Sequence, residues 1–391
     1  MSVIGIVCEF NPFHNGHKHL IDSVKQQGDV VVCVMSGNFV QRGEPAIFPK
    51  DIRVKAALMN GADIVLELPF VYATASAETF AYNAVKILDS FGCDKIAFGT
   101  ENANINNLNK IVDVLTDEKF DIELKKCLET GESYPSARQS ALNKFIDNCD
   151  ISLPNNILAV EYLKVIRKLN SKIQPISVNR IGADYNDDFA VDDFASATHI
   201  RSLIFENKSF DKFVPNNIID LYHNAILTGK ILSKDKYNVS SLSLLRSKIY
   251  EKSENIANMS EGLENRINDA VCNSVSLEEI YDFAKTKRYT HSRIRRAVLC
   301  RQFDVSNDDL DIDVPYCRLL GYNKNCKEIV GNLAGNCKLP FVVRYSDVLK
   351  YDNDIINRIY EIENKTTDFF SLVLNNPDVC SKEKTFSPIK E

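Results

Sequence analysis

Several features that narrow the function of a protein are scarce or missing in this 391-residue sequence. No apolar run approaches the roughly 18 residues that a membrane-spanning helix needs, and the N-terminus lacks the basic flank of a signal peptide. The eleven cysteines, from Cys8 to Cys380, include no Cys-X-X-Cys pair and are not spaced with the six histidines, which argues against a zinc site. We therefore expect a cytoplasmic protein with reduced thiols.

A surplus of positive charge is missing too, because the formal net charge is −6. The chain as a whole is therefore not attracted to nucleic acid. One segment departs from this balance, since Lys285–Phe303 carries seven Lys or Arg and no Asp or Glu. This basic stripe predicts a local contact with a polyanion.

Within the basic stripe, the side chains predicted to contact RNA are Lys287, Arg288, Arg293, Arg295 and Arg296. Tyr289 and His291 stand between them, a mixture that suits phosphates together with a stacked base. If Ser292 caps a helix, the apolar residues Ile294, Ala297 and Val298 face the core. A solvated helix face without a ligand is the alternative.

Strand-like and helix-like patterns alternate over the first 100 residues. The runs VIGIVCEF, DVVVCVM, DIVLELP and KIAFG are almost continuously apolar, as in parallel strands that are covered on both faces. Helical patterns lie between them, with Gly92 as a C-cap, and KIQPISVNRI predicts one more strand. This order predicts an α/β fold with a Rossmann-like, doubly wound parallel sheet.

After about Asn207 no convincing alternation of strands and helices remains. We therefore predict a first domain over residues 1–205 and a mostly helical second domain over residues 206–391. The final segment, NNPDVCSKEKTFSPIKE, is expected to be a frayed tail.

The segment GIVCEFNPFHNGHKHLI leads from the first strand into the first helix and holds His14, His17 and His19. Ligands of parallel sheets bind at this edge, and a helix N-terminus attracts anions. Gly16 allows a phosphate to approach the backbone, and His14 and His17 lie one turn apart, so that both can donate to phosphate oxygens. A histidine-rich helix cap without a ligand is the alternative.

A second polar motif, SATHIR, supplies Ser196, Thr198 and Arg201. Its hydroxyls can cap a helix and its arginine can clamp phosphates; a plain cap with a surface arginine is the alternative. Together, HNGH after a first strand and SATHIR resemble the HxGH and S-S-T-x-I-R signatures of the HIGH-type nucleotidyltransferase superfamily, with Ala197 in place of one serine.

Longer motifs narrow this resemblance. EFNPFHNGH, MSGNFVQRGEPA, ELPF, FGTEN and PNNIL are similar to the bacterial tRNA(Met) cytidine acetate ligase family, and TKRYTHSRIRR fits its C-terminal region. The resemblance implies an ATP-dependent, AMP-forming ligase that activates acetate as acetyl-adenylate and acetylates N4 of the wobble cytidine, position 34, of elongator tRNA(Met). Residues 1–205 would then bind ATP, and residues 206–391 would contact the tRNA.

The resemblance also implies a set of site residues. His14, His17 and Arg201 would be catalytic and would stabilise the transition state at the triphosphate. The implied ATP-binding residues are Val7, Cys8, Glu9, Phe10, Asn11, Pro12, Phe13, His14, Asn15, Gly16, His17, Lys18, His19, Leu20, Gly99, Asn155, Arg180, Ser196 and Thr198.

Three of these residues have plain structural alternatives. Gly99 could be a simple turn glycine, and Asn155 could be the cap of the helix that follows Pro154. Arg180 could form a salt bridge with a nearby acid such as Asp184.

The segment SGNFVQRGEPA follows the second strand and is too polar to be expected in the core. We predict a loop that forms a lid or the acetate-side wall, with Gln41 and Arg42 as substrate contacts; an inert surface loop is the alternative. Mg²⁺ is expected with the triphosphate, although no carboxylate stands out as its ligand. A small-molecule adenylyltransferase of coenzyme biosynthesis and a catalytically silent nucleotide-binding protein remain as alternative functions.

Overall fold

The structure, a computed structural model, describes residues 1–101, 104–146, 154–180, 193–251, 255–260 and 262–391. Its strands are β1 (Val3–Cys8), β2 (Val30–Ser36), β3 (Phe39–Val40), β4 (Glu44–Pro45), β5 (Ile64–Leu68), β6 (Lys95–Thr100), β7 (Gln174–Asn179), β8 (Cys317–Tyr322), β9 (Phe341–Val342) and β10 (Ile389–Lys390).

The helices before residue 206 are α1 (Asn15–Val24), α2 (Lys50–Leu58), α3 (Phe70–Ala73), α4 (Ala77–Phe91), α5 (Ile105–Leu115), α6 (Glu118–Glu129), α7 (Tyr134–Leu142), α8 (Pro154–Lys168) and α9 (Ala197–Phe205). The later helices are α10 (Ile219–Leu227), α11 (Lys234–Ser247), α12 (Leu263–Asn273), α13 (Leu277–Ala284), α14 (His291–Phe303), α15 (Asn307–Asp311), α16 (Lys327–Gly335), α17 (Tyr345–Tyr351), α18 (Asp354–Leu372) and α19 (Lys382–Thr385). Short 3₁₀ turns cover Asp211–Phe213, Asn216–Ile218 and Lys324–Cys326.

An eight-stranded sheet forms the centre, with the strand order β10–β8–β5–β2–β1–β6–β7 and with β9 paired to β8. The strands β5, β2, β1, β6 and β7 are parallel to their neighbours, whereas β8 runs antiparallel to β5. From β1 the chain builds outward through β2 and β5, and it then resumes on the other side of β1 with β6 and β7. Such a reversal leaves a crevice at the carboxyl ends of β1 and β6. The predicted α/β fold is confirmed.

Burial explains why the predicted strands are so apolar. Every residue of β2 and β5 is buried, because helices cover both faces of the sheet. Successive residues of β2 point into two different hydrophobic clusters, with Val32 and Val34 on one face and Val31 and Cys33 on the other. A third cluster lies among the helices α11–α14.

The chain after Asn207 is mostly helical, as predicted, but it also contributes strands to the central sheet, which the sequence did not indicate. β8 extends the sheet along β5, and β10 pairs with β8. The tail is not frayed, since Glu383 is 1 % exposed and its carboxylate lies 2.5 Å from Lys50 and 2.5 Å from Arg318. A buried carboxylate needs such cationic partners, and their positions far apart in the chain hide the contact from local patterns. The boundary near residue 205 stays a prediction.

None of the helices in the described ranges is both long and apolar enough to cross a membrane.

Candidate active site

A cleft of about 1140 Å³ lies at the carboxyl ends of β1 and β6, where the topology predicts a crevice. Its walls come from the HNGH segment, the end of β6, α8, α9, the β3–β4 hairpin and the first turns of α14. Small-molecule sites typically occupy roughly 300–1000 Å³. The cleft is therefore large enough for a nucleotide together with part of a second substrate.

Both histidines of HNGH accept hydrogen bonds from backbone N–H groups at the start of helix α1. Nδ1 of His14 accepts from the Gly16 N–H at 3.1 Å, and Nδ1 of His17 accepts from the His14 N–H at 3.3 Å. The two rings stack with their centroids 3.8 Å apart. Because both Nδ1 atoms accept, each neutral ring carries its proton on Nε2. The helix cap considered above is real, and it fixes the tautomers that a phosphate site needs.

Both imidazoles are held in the neutral form. Burial lowers the pKa of His14 to about 3, and the positive charges of Arg180 and Arg201 contribute to this. Burial also lowers the pKa of His17 well below its usual range, with further contributions from His14 and Arg180. The rings are therefore uncharged and can donate through Nε2–H, and the nearby arginines carry the positive charge.

A buried arginine fixes the turn between β1 and HNGH. Arg53 is fully buried and donates to the Glu9 carbonyl at 2.6 Å and to the Ser36 carbonyl at 3.2 Å. Phe10 follows with a left-handed φ of 47°, which a bulky residue rarely adopts. The sequence alone does not reveal this role, because Arg53 reads as an ordinary charge on an amphipathic helix.

The SATHIR motif contacts the turn between β1 and HNGH. Ser196 caps α9 by accepting from the His199 N–H at 3.1 Å. Arg201 donates through Nη1 to the Asn11 carbonyl at 2.8 Å and through Nη2 to the Thr198 hydroxyl at 3.2 Å. Ser196, Thr198 and Arg201 all line the cleft. The structure thus brings together the two motifs on which the resemblance rests.

Three isolated predictions, Gly99, Asn155 and Arg180, also meet at the cleft. A Cβ on Gly99 would stand 3.3 Å from Cγ of Arg180, so the missing side chain leaves room for that arginine. Asn155 donates to the Glu101 carboxylate at 2.5 Å, and Arg180 lies 4.0 Å from the same carboxylate. Asp184, the partner considered above for Arg180, lies outside the described residues.

The predicted ATP segment divides into lining and supporting residues. Those that line the cleft are Val7, Cys8, Glu9, Phe10, Asn11, His14, Gly16, His17, His19 and Leu20. Pro12 and Phe13 are buried, Lys18 forms an ion pair with Asp22 at 2.9 Å, and the Asn15 amide donates to two distant backbone carbonyls. These contacts hold the segment in place.

The segment predicted as a polar loop is instead a largely buried β3–β4 hairpin. Phe39 and Ala46 are 1 % and 0 % exposed. Phe39 packs edge-on against the rings of Phe70, Phe303 and Phe370. The polar tip nevertheless reaches the cleft, where both Gln41 and Arg42 line the wall.

Helix α14 forms the outer wall, with a correction to its predicted start. Thr290, rather than Ser292, caps the helix by accepting from the Arg293 N–H at 3.4 Å. The predicted core face is confirmed, since Ile294, Ala297 and Val298 are buried.

The basic stripe is not uniform. Lys287 and Arg288 are exposed, whereas Arg296 lines the cleft and Arg295 forms an ion pair with Glu44 of the hairpin. Arg293 lies over the ring of Tyr289 at 5.1 Å. Tyr289 is 5 % exposed, so the expectation that it stacks on a base is wrong; it forms part of the core of the helical bundle.

Hairpin and helix are in backbone contact at Gly43. A Cβ on Gly43, whose φ is +78°, would stand 2.8 Å from the Arg296 backbone N. The hairpin therefore joins the end of β1, through Gln41 and Glu9, to the first turns of α14. Within the described ranges, no group of three or more His, Cys, Asp or Glu side chains is arranged to hold a metal ion.

Comparisons with known proteins agree on one group. Residues 1–385 match the family model of the HIGH nucleotidyl transferases. A tRNA(Met) cytidine acetate ligase of Acetivibrio thermocellus is 40 % identical over 96 % of both chains, and one of Clostridium kluyveri is 39 % identical over 98 % of this chain and 100 % of its own. The crystal structure of Thermotoga maritima TmcAL bound with alpha-thio ATP has a TM-score of 0.91 at 31 % identity, covering 100 % of this chain and 99 % of that one.

Proposed function

The chain belongs to the tRNA(Met) cytidine acetate ligase family of the HIGH nucleotidyl transferases, and on this premise we propose how it works. It is an ATP-dependent, AMP-forming ligase that activates acetate as acetyl-adenylate and acetylates N4 of the wobble cytidine, position 34, of elongator tRNA(Met). The observation that carries this proposal is a single cleft in which the caps of HNGH and SATHIR face the basic helix α14.

The first step joins acetate to the α-phosphorus of ATP. A carboxylate oxygen of acetate attacks, the bond to pyrophosphate breaks, and acetate acquires AMP as a leaving group. Catalysis here consists of positioning and of stabilising the charge that builds up on the phosphate oxygens. We assign the stabilisation to the Nε2–H donors of His14 and His17 and to the charge of Arg201.

The remaining implied contacts fit a nucleotide along the edge of β1 and β6. Gly99 and Asn155 offer a place for the adenosine, and Arg180, Ser196 and Thr198 are placed for the phosphates. Mg²⁺ would neutralise charge on the triphosphate. Such an ion would be held mainly by phosphate oxygens and water, as is usual for Mg²⁺.

The second step uses tRNA as the acetyl acceptor, and we propose that the protein works in the cytoplasm. The target base lies in an anticodon loop, where a single-stranded base can be splayed out and inserted into a cleft. We propose that the exposed Lys287 and Arg288 contact RNA phosphates and that Arg293, Arg295 and Arg296 guide the loop toward the acetyl-adenylate. Gln41 and Arg42 would form the wall between the two substrates.

The direct test is to incubate the protein with ATP, acetate and tRNA and to analyse the tRNA nucleosides. We expect N4-acetylcytidine, dependent on both ATP and acetate. ATP–pyrophosphate exchange with acetate, with nicotinamide mononucleotide and with phosphopantetheine separates this function from that of a coenzyme adenylyltransferase. Exchange that responds to a coenzyme precursor but not to acetate would contradict the proposal.

A further inference from the structure

We propose that Glu9 is the general base of the acetyl-transfer step and takes the proton from the cytosine amino group as it attacks the acetyl-adenylate. This inference rests on the proposed function and adds a residue role to it. The starting observation is a carboxylate in the cleft, five residues before His14 of the HNGH segment.

Glu9 belongs to the segment implied to bind ATP, but its carboxylate repels the triphosphate, so this side chain is poorly suited to contact the phosphates. Glu9 directly follows β1, and α1, whose N-terminus is the anion site, begins six residues later. After adenylation, a single oxygen separates the acetyl carbon from the α-phosphorus. The acetyl group therefore lies at the same edge of the sheet as Glu9. A carboxylate hinders the first half-reaction there, but the second half-reaction needs a base at this place.

The structure holds Glu9 rigidly on both sides. Its Oε1 accepts from the Gln41 N–H at 2.8 Å, and its carbonyl accepts from the buried Arg53 at 2.6 Å. The left-handed Phe10 follows directly and is buried. A reacting group held this way needs little reorganisation in the transition state.

Among the residues that the structure describes, four carboxylates line the cleft, and three of them have cationic partners. Glu44 pairs with Arg295, Glu161 accepts from Arg138 at 2.6 Å and from Lys164 at 3.0 Å, and Glu78 lies 3.8 Å from Lys164. Among the described residues, Glu9 has no ion pair within 4.0 Å, and its one recorded side-chain hydrogen bond comes from the backbone. It thus retains capacity to accept a proton.

The surroundings strengthen Glu9 as a base. Burial raises its pKa, and this outweighs the opposing effects of the Gln41 N–H and of Arg201, Arg42 and Arg53. Cys8 and Tyr162 are the other titratable groups that interact with it. A carboxylate with a raised pKa is a stronger base than an ordinary one, and proton transfer is most efficient when the pKa approaches the working pH.

The step balances without any further reactant. The N4 lone pair attacks the acetyl carbonyl carbon, a C–N bond forms, and the bond between that carbon and the phosphate oxygen breaks. AMP leaves with the bonding electrons. The proton lost from N4 passes to the Glu9 carboxylate and then to solvent.

Glu9→Gln tests this proposal, because the amide oxygen can still accept from the Gln41 N–H while the charge and the basicity are lost. Because Glu9 belongs to the segment implied to bind ATP, we expect ATP–pyrophosphate exchange with acetate to fall somewhat, but at least about tenfold less than transfer. Single-turnover transfer from enzyme-bound acetyl-adenylate to tRNA should fall about 100-fold or more, the usual effect of removing a general base. The wild-type transfer rate should rise with pH as Glu9 loses its proton, and the variant should lack this rise.

Glu78→Gln is the matched control, since Glu78 lines the same cleft and its side chain is 66 % exposed; it should transfer at the wild-type rate. Exchange and transfer falling together in Glu9→Gln would place Glu9 in ATP or Mg²⁺ binding and overturn the proposal, as would transfer at the normal rate. If the variant does not fold, a wild-type transfer rate that is independent of pH overturns it instead. A wild-type enzyme that forms acetyl-adenylate but acetylates no tRNA would contradict the proposed function itself.

Discussion

The two walls of the cleft are built in contrasting ways. On the inner wall, formed by the HNGH segment and α9, the side chains of His14, His17 and Arg201 are hydrogen-bonded to the backbone, and the histidines are uncharged. On the outer wall, α14 and the chain before it present long cationic side chains, some of them exposed. Chemistry at phosphorus depends on donors fixed in advance, whereas RNA is attracted through many phosphate charges. We therefore expect that substitutions in the inner wall impair adenylation and that substitutions in the outer wall impair transfer to tRNA.

The largest expected effect comes from breaking the inner wall alone. His14→Asn removes the Nε2–H donor, while asparagine, a favourable N-cap residue, preserves the start of α1. We expect acetate-dependent ATP–pyrophosphate exchange to fall about 100-fold or more, with tRNA affinity unchanged. Exchange close to wild type would reduce His14 to a helix cap, and a parallel loss of tRNA binding would show that the walls are not independent.

The neutral state of His14 predicts a pH dependence that is specific to the inner wall. Its pKa is about 3 in the folded protein and about 6.5 in the unfolded chain, so between these values the unfolded state binds more protons. Stability should therefore fall as the pH decreases, by about 2 kcal/mol from this group between pH 7 and pH 5. Urea unfolding at both pH values should show a smaller loss for His14→Asn; equal losses would mean that His14 titrates normally in the folded state.

Gly43→Ala tests the junction between the walls. The new Cβ would meet the Arg296 backbone N at 2.8 Å and Cβ of Arg295 at 2.9 Å, so the hairpin and α14 must separate. We expect acetyl transfer to tRNA to fall about tenfold, which corresponds to roughly 1.4 kcal/mol, and exchange to fall less. Gly28→Ala is the control, because Gly28 also has a positive φ but no atom lies within 4 Å of the added Cβ. If both substitutions had equal effects, the loss would come from backbone strain at a positive φ and not from the contact between the hairpin and α14.

The smallest effect belongs to the exposed end of the basic stripe. In Lys287→Ala/Arg288→Ala, we expect tRNA to bind a few-fold more weakly and the slope of log affinity against log salt to flatten by about 2, with exchange unchanged. Filter binding at several salt concentrations measures both quantities. Lys324→Ala/Lys327→Ala is a matched control. These two exposed lysines follow β8 and lie near the amino ends of the parallel strands, whereas the cleft lies at the carboxyl ends. A control that weakens binding equally would leave the stripe without a special role.

The same contrast explains what the sequence could predict. β1, HNGH and SATHIR are local patterns in which strand, cap and functional group lie within a few residues of one another, so the fold class and the positions of His14, His17 and Arg201 follow from the sequence. The lining of the cleft by Gly99 and Arg180 also follows, because both stand at ends of parallel strands.

The features that the sequence did not reveal depend on contacts between residues far apart in the chain. Arg53 ties together the ends of β1 and β2, and Glu383 reaches across the chain to Lys50 and Arg318. Each reads locally as a surface charge, and only the fold brings its partners to it. The burial of Phe39 was hidden for the same reason, since its aromatic neighbours lie far along the sequence.

We propose that the inner wall forms an acyl-adenylate and that the outer wall guides the RNA to it. Acetate labelled with ¹⁸O in both carboxyl oxygens tests this proposal most directly, with unlabelled ATP, tRNA and mass spectrometry of the released nucleotide. Attack of acetate on the α-phosphorus predicts that AMP carries one ¹⁸O atom and that pyrophosphate carries none. Unlabelled AMP, or label in ADP or inorganic phosphate, would contradict the account, because acetate would then not have been activated at the α-phosphorus.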